Sequence, residues 1–198
     1  MIRSLFLIFV LCWSALATAR PVLVFGDSLS AGFGLAREQS WPALLEPRLK
    51  ERGYTLVNAS ISGETTAGGR SRLGAALDQH RPAVVVLELG ANDGLRGLSI
   101  AQTRDNLTAM ARAVKASGAR LLLVGMRLPP NYGPDYTAAF EHTFTAVAKA
   151  EKTALLPFLL EPVAADPANF QKDGLHPVAS AQPRILDHVW KALKPLLK

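Results

Sequence analysis

Ala83-Val84-Val85-Val86-Leu87-Glu88-Leu89 is the most strand-like stretch of the chain, and Gly90-Ala91-Asn92-Asp93-Gly94 follows it directly. A continuous apolar run, rather than an alternating one, marks a strand covered on both faces, as in parallel sheets packed between helices. Pro21-Val22-Leu23-Val24-Phe25 and Arg120 to Met126 have the same character, and weaker runs occupy Tyr54 to Ala59 and Ala154 to Phe158. Helical signals separate these runs. Ser40 is placed to cap a helix entered through Trp41-Pro42, with Leu44, Leu45 and Leu49 on its apolar face and Gly53 ending it. Thr65 to His80, Ile100 to Ser117 and Pro134 to Lys152 read as three more helices. Ala179 to Leu197 reads as a closing helix with Ile185, Leu186, Val189, Trp190 and Leu193 on one face. Strands alternating with helices predict the α/β class. The expected architecture is a three-layer α/β/α sandwich on a flavodoxin-like parallel sheet of about five strands, order 2-1-3-4-5. No repeat or linker interrupts residues 20–198, which are read as one domain.

The composition narrows the classes of function. With 49% hydrophobic and 19% charged residues among 198, the chain has an ordinary globular make-up, which excludes disorder and collagen-like repeats. The net charge is +6, but Lys and Arg are scattered with no basic run, so nucleic acid is not an expected partner. A transient attraction to anionic membrane surfaces is the most that the charge implies. Cys12 is the single cysteine, so disulfide frameworks and cysteine-zinc clusters are excluded. The four histidines form no H-x-x-x-H or H-E-x-x-H pattern, and no Gly-Lys-Ser/Thr phosphate loop occurs; no metal and no cofactor is expected. Arg3, the apolar run Leu5 to Leu16 and Ala17-Thr18-Ala19 have the order of a secretory signal peptide over 1–19, cleaved before Arg20. The expected product is a cysteine-free monomer in the periplasm or outside the cell, without a thiol nucleophile.

In parallel α/β sheets, ligands bind beyond the carboxyl ends of the strands, near the point where strand order reverses. Four motifs stand at such ends. Gly26-Asp27-Ser28-Leu29-Ser30 follows the first strand and can expose a serine hydroxyl, although taken alone it reads first as a plain turn or cap at Asp27 or Ser28. Asn58-Ala59-Ser60-Ile61-Ser62-Gly63-Glu64 follows the second, where Gly63 can offer an unhindered N–H. Asn92 follows the third and can point across at Ser28, or simply make an Asx turn. Asp173-Gly174-Leu175-His176-Pro177 places an acid and an imidazole three residues apart on a turn, where Asp173 can orient His176, and Pro177 starts the last helix. A nucleophilic serine needs a base, an orienter for that base and donors for the oxyanion, and the chain offers a candidate for each.

These four blocks, in this order and across nearly all of 20–198, resemble the SGNH hydrolases, also called GDSL lipases/esterases. Asp27-Ser28-Leu29-Ser30-Ala31-Gly32, Asn92-Asp93-Gly94-Leu95-Arg96-Gly97 and Arg127-Leu128-Pro129-Pro130-Asn131-Tyr132-Gly133 look like the bacterial periplasmic acyl-CoA thioesterase I/lysophospholipase/protease I group. The resemblance implies esterase, thioesterase and lysophospholipase activity on a small acyl ester or thioester. It also implies Ser28 as nucleophile, His176 as base then acid, and Asp173 as its orienter. The oxyanion would be held by the Ser28 and Gly63 N–H groups and the Asn92 amide. Leu95, Leu128 and Pro129 would wall an apolar acyl groove. Val178-Ala179-Ser180-Ala181 departs from the more polar run expected after the histidine, which bears on the substrate rim. A carbohydrate O-acetylesterase of the same superfamily and a non-enzymatic nucleotide or flavin binder are the alternatives.

Overall fold

The computed structural model describes residues 20–198, and the signal-peptide reading of 1–19 lies outside the described residues. Five strands, β1 (Arg20–Gly26), β2 (Tyr54–Asn58), β3 (Val84–Glu88), β4 (Arg120–Val124) and β5 (Ala154–Leu156), form one sheet of order β2-β1-β3-β4-β5. Every neighbouring pair is parallel, as the apolar runs predict. Val22 to Phe25 of β1 and all of β3 are buried. Each Val, Leu or Phe so removed from water contributes about 1.5–3 kcal/mol, which is why these two strands form the centre of the sheet.

Helices cover both faces. α2 (Trp41–Lys50) packs against α7 (Gln182–Leu193), and α3 (Thr66–His80), α5 (Ile100–Ala116) and α6 (Pro134–Glu151) pack side by side as a second group. α5 shows how sequence selects the face: Thr103, Leu107, Met110, Ala111 and Val114 recur every three or four residues and are buried, and Ser99 caps its first turn by accepting from the Gln102 N–H. At the sheet's central reversal β1 and β3 lie side by side, with Gly26 opposite Glu88.

The closing helix differs from its sequence reading. Ala179–Ala181 is a turn of 3-10 helix, α7 covers Gln182–Leu193, and Lys194–Leu196 is again 3-10. Pro183 and Pro195 explain both breaks, since proline has no N–H to donate to a preceding turn and is at home only in a helix's first turn. Pro177 does not start that helix; it forms an antiparallel bridge with Phe170 that anchors the preceding turn. Two short helices, α1 (Ser28–Ala31) and α4 (Ala91–Leu95), stand where the sequence suggests only turns.

Candidate active site

The first strand delivers Ser28 through a tight turn. Asp27 leaves β1 and caps α1, its Oδ1 accepting from the Leu29 N–H at 3.0 Å, so Ser28 becomes the first residue of a one-turn helix. Gly26 is required immediately before it. A Cβ there would sit 2.7 Å from Glu88 Oε2 and 2.8 Å from the Glu88 carbonyl oxygen, well inside van der Waals contact.

The imidazole arrives from the far end of the chain. Gly174, at φ +70°, bends the backbone so that Asp173 and His176 face each other. Asp173 Oδ1 accepts from the Leu175 and His176 N–H groups at 2.9 and 3.0 Å, and Oδ2 lies 2.7 Å from His176 Nδ1. The Leu175 N–H, with smaller help from His176, holds the Asp173 carboxyl down at about 2 against some desolvation. An ionised Asp173 is an acceptor only, so Nδ1 carries the proton and Nε2 presents its lone pair. Nε2 lies 2.8 Å from Ser28 Oγ. The His176 turn is held by the Gln171 N–H to the His176 carbonyl and the Gln171 amide to the Phe33 carbonyl, both at 2.8 Å. The Phe33 ring packs on the imidazole at 4.6 Å between centroids.

The three donor candidates also meet here. Ile61 N–H to the Gly26 carbonyl ties the Gly63 loop to the end of β1, and the Arg96 guanidinium ties it to α4 through the Gly63 carbonyl at 2.9 Å. Gly63 adopts φ +78°, and neither its N–H nor that of Ser28 donates to a protein group among the described residues. Asn92 is the exception to the sequence reading. Its amide does not reach Ser28 but donates to the Glu64 carbonyl at 2.9 Å and to Asp27 Oδ2 at 3.2 Å. It sits on α4, not in an Asx turn, and the neighbouring Asp93 is buried and accepts from Thr66 at the start of α3.

Ser28 and His176 open into a cavity of about 530 Å³. Leu95, Leu128 and Pro129 line it, so the structure brings all three sequence candidates to the site. Tyr132 Oη donates to the Leu95 carbonyl at 2.9 Å, linking the two loops that carry them. The floor, however, comes from residues the sequence reading did not single out: Met126 and, beyond β5, Phe158 and Leu160, all nearly buried. The sequence reads Met126 and Phe158 as the ends of strands, which marks them as apolar but not as cavity lining, and Leu160 lies in no predicted element.

The profile of the GDSL-like Lipase/Acylhydrolase family matches residues 24–182, which include Ser28, Gly63, Asn92, Asp173 and His176. The chain belongs to that family. It is 55% identical over 183 residues to Esterase TesA of Pseudomonas aeruginosa, covering 91% of each chain. It is 45% identical over 192 residues to Thioesterase 1/protease 1/lysophospholipase L1 of Escherichia coli strain K12, covering 97% of this chain and 92% of that one. Among solved structures, the psychrotrophic esterase EstA from Pseudoalteromonas sp., described as inhibited by monoethylphosphonate, superimposes with a TM-score of 0.85 at 39% identity over 90% of this chain and 98% of its own. The family's fold is the one derived above, a five-stranded parallel sheet with its reversal between β1 and β3. Close to Ser28 lies a buried carboxyl, Glu88, which the sequence reads only as part of the β3 strand.

Proposed function

We propose that this GDSL-like acylhydrolase cleaves carboxylic esters and thioesters of arylesterase, acyl-CoA thioesterase and lysophospholipase type through an acyl-enzyme on Ser28. The observation that carries this reading is the unbroken chain Asp173 Oδ2, His176 Nδ1, His176 Nε2, Ser28 Oγ, with links of 2.7 and 2.8 Å, opening on an apolar cavity. His176 Nε2 takes the Ser28 proton as Oγ attacks the acyl carbonyl, and Asp173 stabilises the imidazolium that forms. The carbonyl oxygen becomes an oxyanion held by the free Ser28 and Gly63 N–H groups, with Asn92 turning one hydrogen from Asp27 to join them. Collapse expels the alkoxide or thiolate, which leaves with the proton from His176. Water then attacks the acyl-enzyme, gives its proton to His176, and the second collapse releases the carboxylic acid and restores the Ser28 hydroxyl. No step needs a metal or cofactor.

The cavity lining argues for a medium or long acyl chain over acetyl. Each methylene moved from water onto an apolar wall is worth about 0.8 kcal/mol, or roughly fourfold in kcat/KM. A series of p-nitrophenyl esters, acyl-CoAs and lysophospholipids tests the reading. Rising kcat/KM along the series until the groove is full supports it, and a preference for acetyl esters favours the O-acetylesterase alternative. A fluorophosphonate should label Ser28 and Ser28→Ala should abolish turnover while staying folded; labelling at Ser30 or Ser62 instead overturns the assignment. We further propose that the enzyme works as a monomer in the periplasm or outside the cell, after loss of residues 1–19, with at most transient contact with membranes. N-terminal sequencing of the exported protein should begin at Arg20, and a start at Met1 would refute the cleavage.

A further inference from the structure

β3 ends in a carboxyl that the hydrolytic chain does not use. Glu88 is the one charged residue in an apolar strand and is completely buried. Its Oε2 accepts from Ser30 Oγ at 2.7 Å and, at a longer 3.4 Å, from the Asp27 N–H. As an acceptor, Oε1 finds no donor. The groups that act on it are Ser30 and Asp27, and no cation is among them.

Asp27 faces Glu88 across the β1–β3 reversal and is equally buried. Its Oδ1 accepts from the Leu29 N–H at 3.0 Å and its Oδ2 from the Asn92 amide at 3.2 Å. The two acids meet through the 3.4 Å contact of the Asp27 N–H with Glu88 Oε2, and each carboxyl acts on the other. Ionised together in a dry site, they would repel; one shared proton turns the repulsion into an O–H···O⁻ bond. The surroundings decide which acid keeps that proton. Asp27 has two donors of its own and lies near His176, whereas Glu88 has a hydroxyl and a distant N–H. Burial, and then the neighbouring Asp27 charge, push Glu88 well above the ordinary carboxylate range. Burial pushes Asp27 only to about 6, against the Leu29 N–H, His176, Glu88 and Asn92, which all favour its charge.

We propose that Glu88 is a positioning residue for hydrolysis: as a neutral acid it donates a hydrogen bond to Asp27, and through Asp27 it fixes the Asn92 amide and the turn that presents Ser28. The proposal rests on the hydrolase reading above. It gives the 3.2 Å Asn92–Asp27 contact a purpose. Of the two amide hydrogens, the one on Glu64 is held at 2.9 Å and the one on Asp27 more loosely, so the second is the one free to turn to a developing oxyanion. An Asp27 already engaged by Glu88 releases it more readily than a bare carboxylate would. A second negative charge behind the hole would instead oppose the oxyanion directly.

The test compares Glu88→Gln with Glu88→Leu, together with infrared spectroscopy of the wild type. The glutamine amide can accept from Ser30 Oγ and donate to Asp27, reproducing the bonding with no proton to lose. At neutral pH the wild type should show the C=O stretch of a protonated carboxylic acid, and Glu88→Gln should lack it. Glu88→Gln should keep kcat within a few fold. Glu88→Leu should lower kcat by about 10- to 100-fold, the size expected for loosened positioning, with KM little changed. Absence of the protonated-acid band in the wild type overturns the proposal. So does a loss in Glu88→Gln as large as in Glu88→Leu, or full activity in Glu88→Leu. If the leucine variant does not fold, the wild-type band and the glutamine kinetics still decide. Wild-type turnover and Ser28 labelling report separately on the hydrolase reading, so its failure is distinguishable from failure of the Glu88 role.

Discussion

Replacing Asp173 by asparagine changes one oxygen to an NH2 group and leaves volume almost untouched, yet the geometry gives the new side chain no acceptable orientation. In the native turn, Oδ1 takes two backbone N–H groups at 2.9 and 3.0 Å, and Oδ2 takes His176 Nδ1 at 2.7 Å. An asparagine with its carbonyl toward the backbone keeps the turn but aims its NH2 at Nδ1. Nδ1 must then accept, the imidazole proton moves to Nε2, and Nε2–H faces Ser28 Oγ as a donor where a base is needed. The flipped amide keeps the correct tautomer but sets its NH2 against two N–H donors. That forfeits two hydrogen bonds of about 1 kcal/mol each and loses the anion that balances the imidazolium. The wrong tautomer in a triad of this kind costs about 10⁴ in kcat, near 5.5 kcal/mol of barrier. Asp173→Asn should therefore reduce kcat on a p-nitrophenyl ester by about 10³ to 10⁴, with KM within a few fold. Stability should change little, because the Asp173 side chain is 37% exposed and water compensates for lost bonds. A kcat loss under tenfold in a variant that folds normally would refute the role of Asp173 as orienter.

Three further outcomes follow from the same geometry. Asn92→Ala should lower kcat by about 10² to 10³ with a small change in KM, as for loss of one oxyanion donor; a drop of only a few fold with lower thermal stability would make Asn92 a purely structural link between Asp27 and Glu64. Gly26→Ala should lower stability by about 1–3 kcal/mol in denaturant titrations, because its Cβ would meet Glu88 Oε2 at 2.7 Å and cannot be absorbed by the neighbouring backbone oxygen at 2.8 Å; an unchanged midpoint would contradict the packing. Because Asp27 is raised from 3.8 to about 6, the folded state binds a proton that the unfolded chain releases across that interval, so this group's contribution to stability should fall as pH rises from 4 past 6; a denaturation midpoint higher at pH 7.5 than at pH 5 would reverse the sign.

Much of this site is legible in the sequence because parallel α/β sheets gather strand ends. Gly26, Asn58 and Leu89 or Gly90 each close an apolar run, so the motifs that follow them had to converge once the order 2-1-3-4-5 was fixed. The Asp173–His176 spacing was legible for a different reason: a glycine between them permits a turn that lets both side chains face one way. What escaped reading has physical causes too. α1 and α4 have four and five residues, too few for a 3.6-residue period to register. Phe158 ends a run read as the fifth strand and Leu160 lies just beyond it, so their apolar character is legible but not that they line the cavity. Glu88 sits in a run whose periodicity says only that it is buried. Its consequence depends on the register that sets it opposite Gly26. Asn92 lines the same cavity as Ser28, but its hydrogen-bond partners there, Asp27 and Glu64, come from two other strand ends and could not be read from its own motif.

Two acids near the serine, Asp27 and Asp173, are handled in opposite ways, and that contrast bears on the base catalysis proposed above. Asp173 lies at the surface and keeps its charge through N–H groups of its own turn, so it is held at about 2 without needing burial. Asp27 lies beneath the serine in a dry pocket where burial pushes it to about 6, and it keeps its charge near neutrality only through Leu29, His176, Glu88 and Asn92. His176 feels both carboxyls, one bonded directly to Nδ1 and one acting through space. In the proposed mechanism, when the imidazole takes the Ser28 proton, the new positive charge forms beside two negative ones already in place, so little has to reorganise. The oxyanion forms on the other side, where Asp27 would be a liability if its charge were unshared. In that mechanism Glu88 and the Leu29 N–H hold the Asp27 charge, leaving the buried carboxylate able to attract the imidazolium while the Asn92 amide turns to the oxyanion.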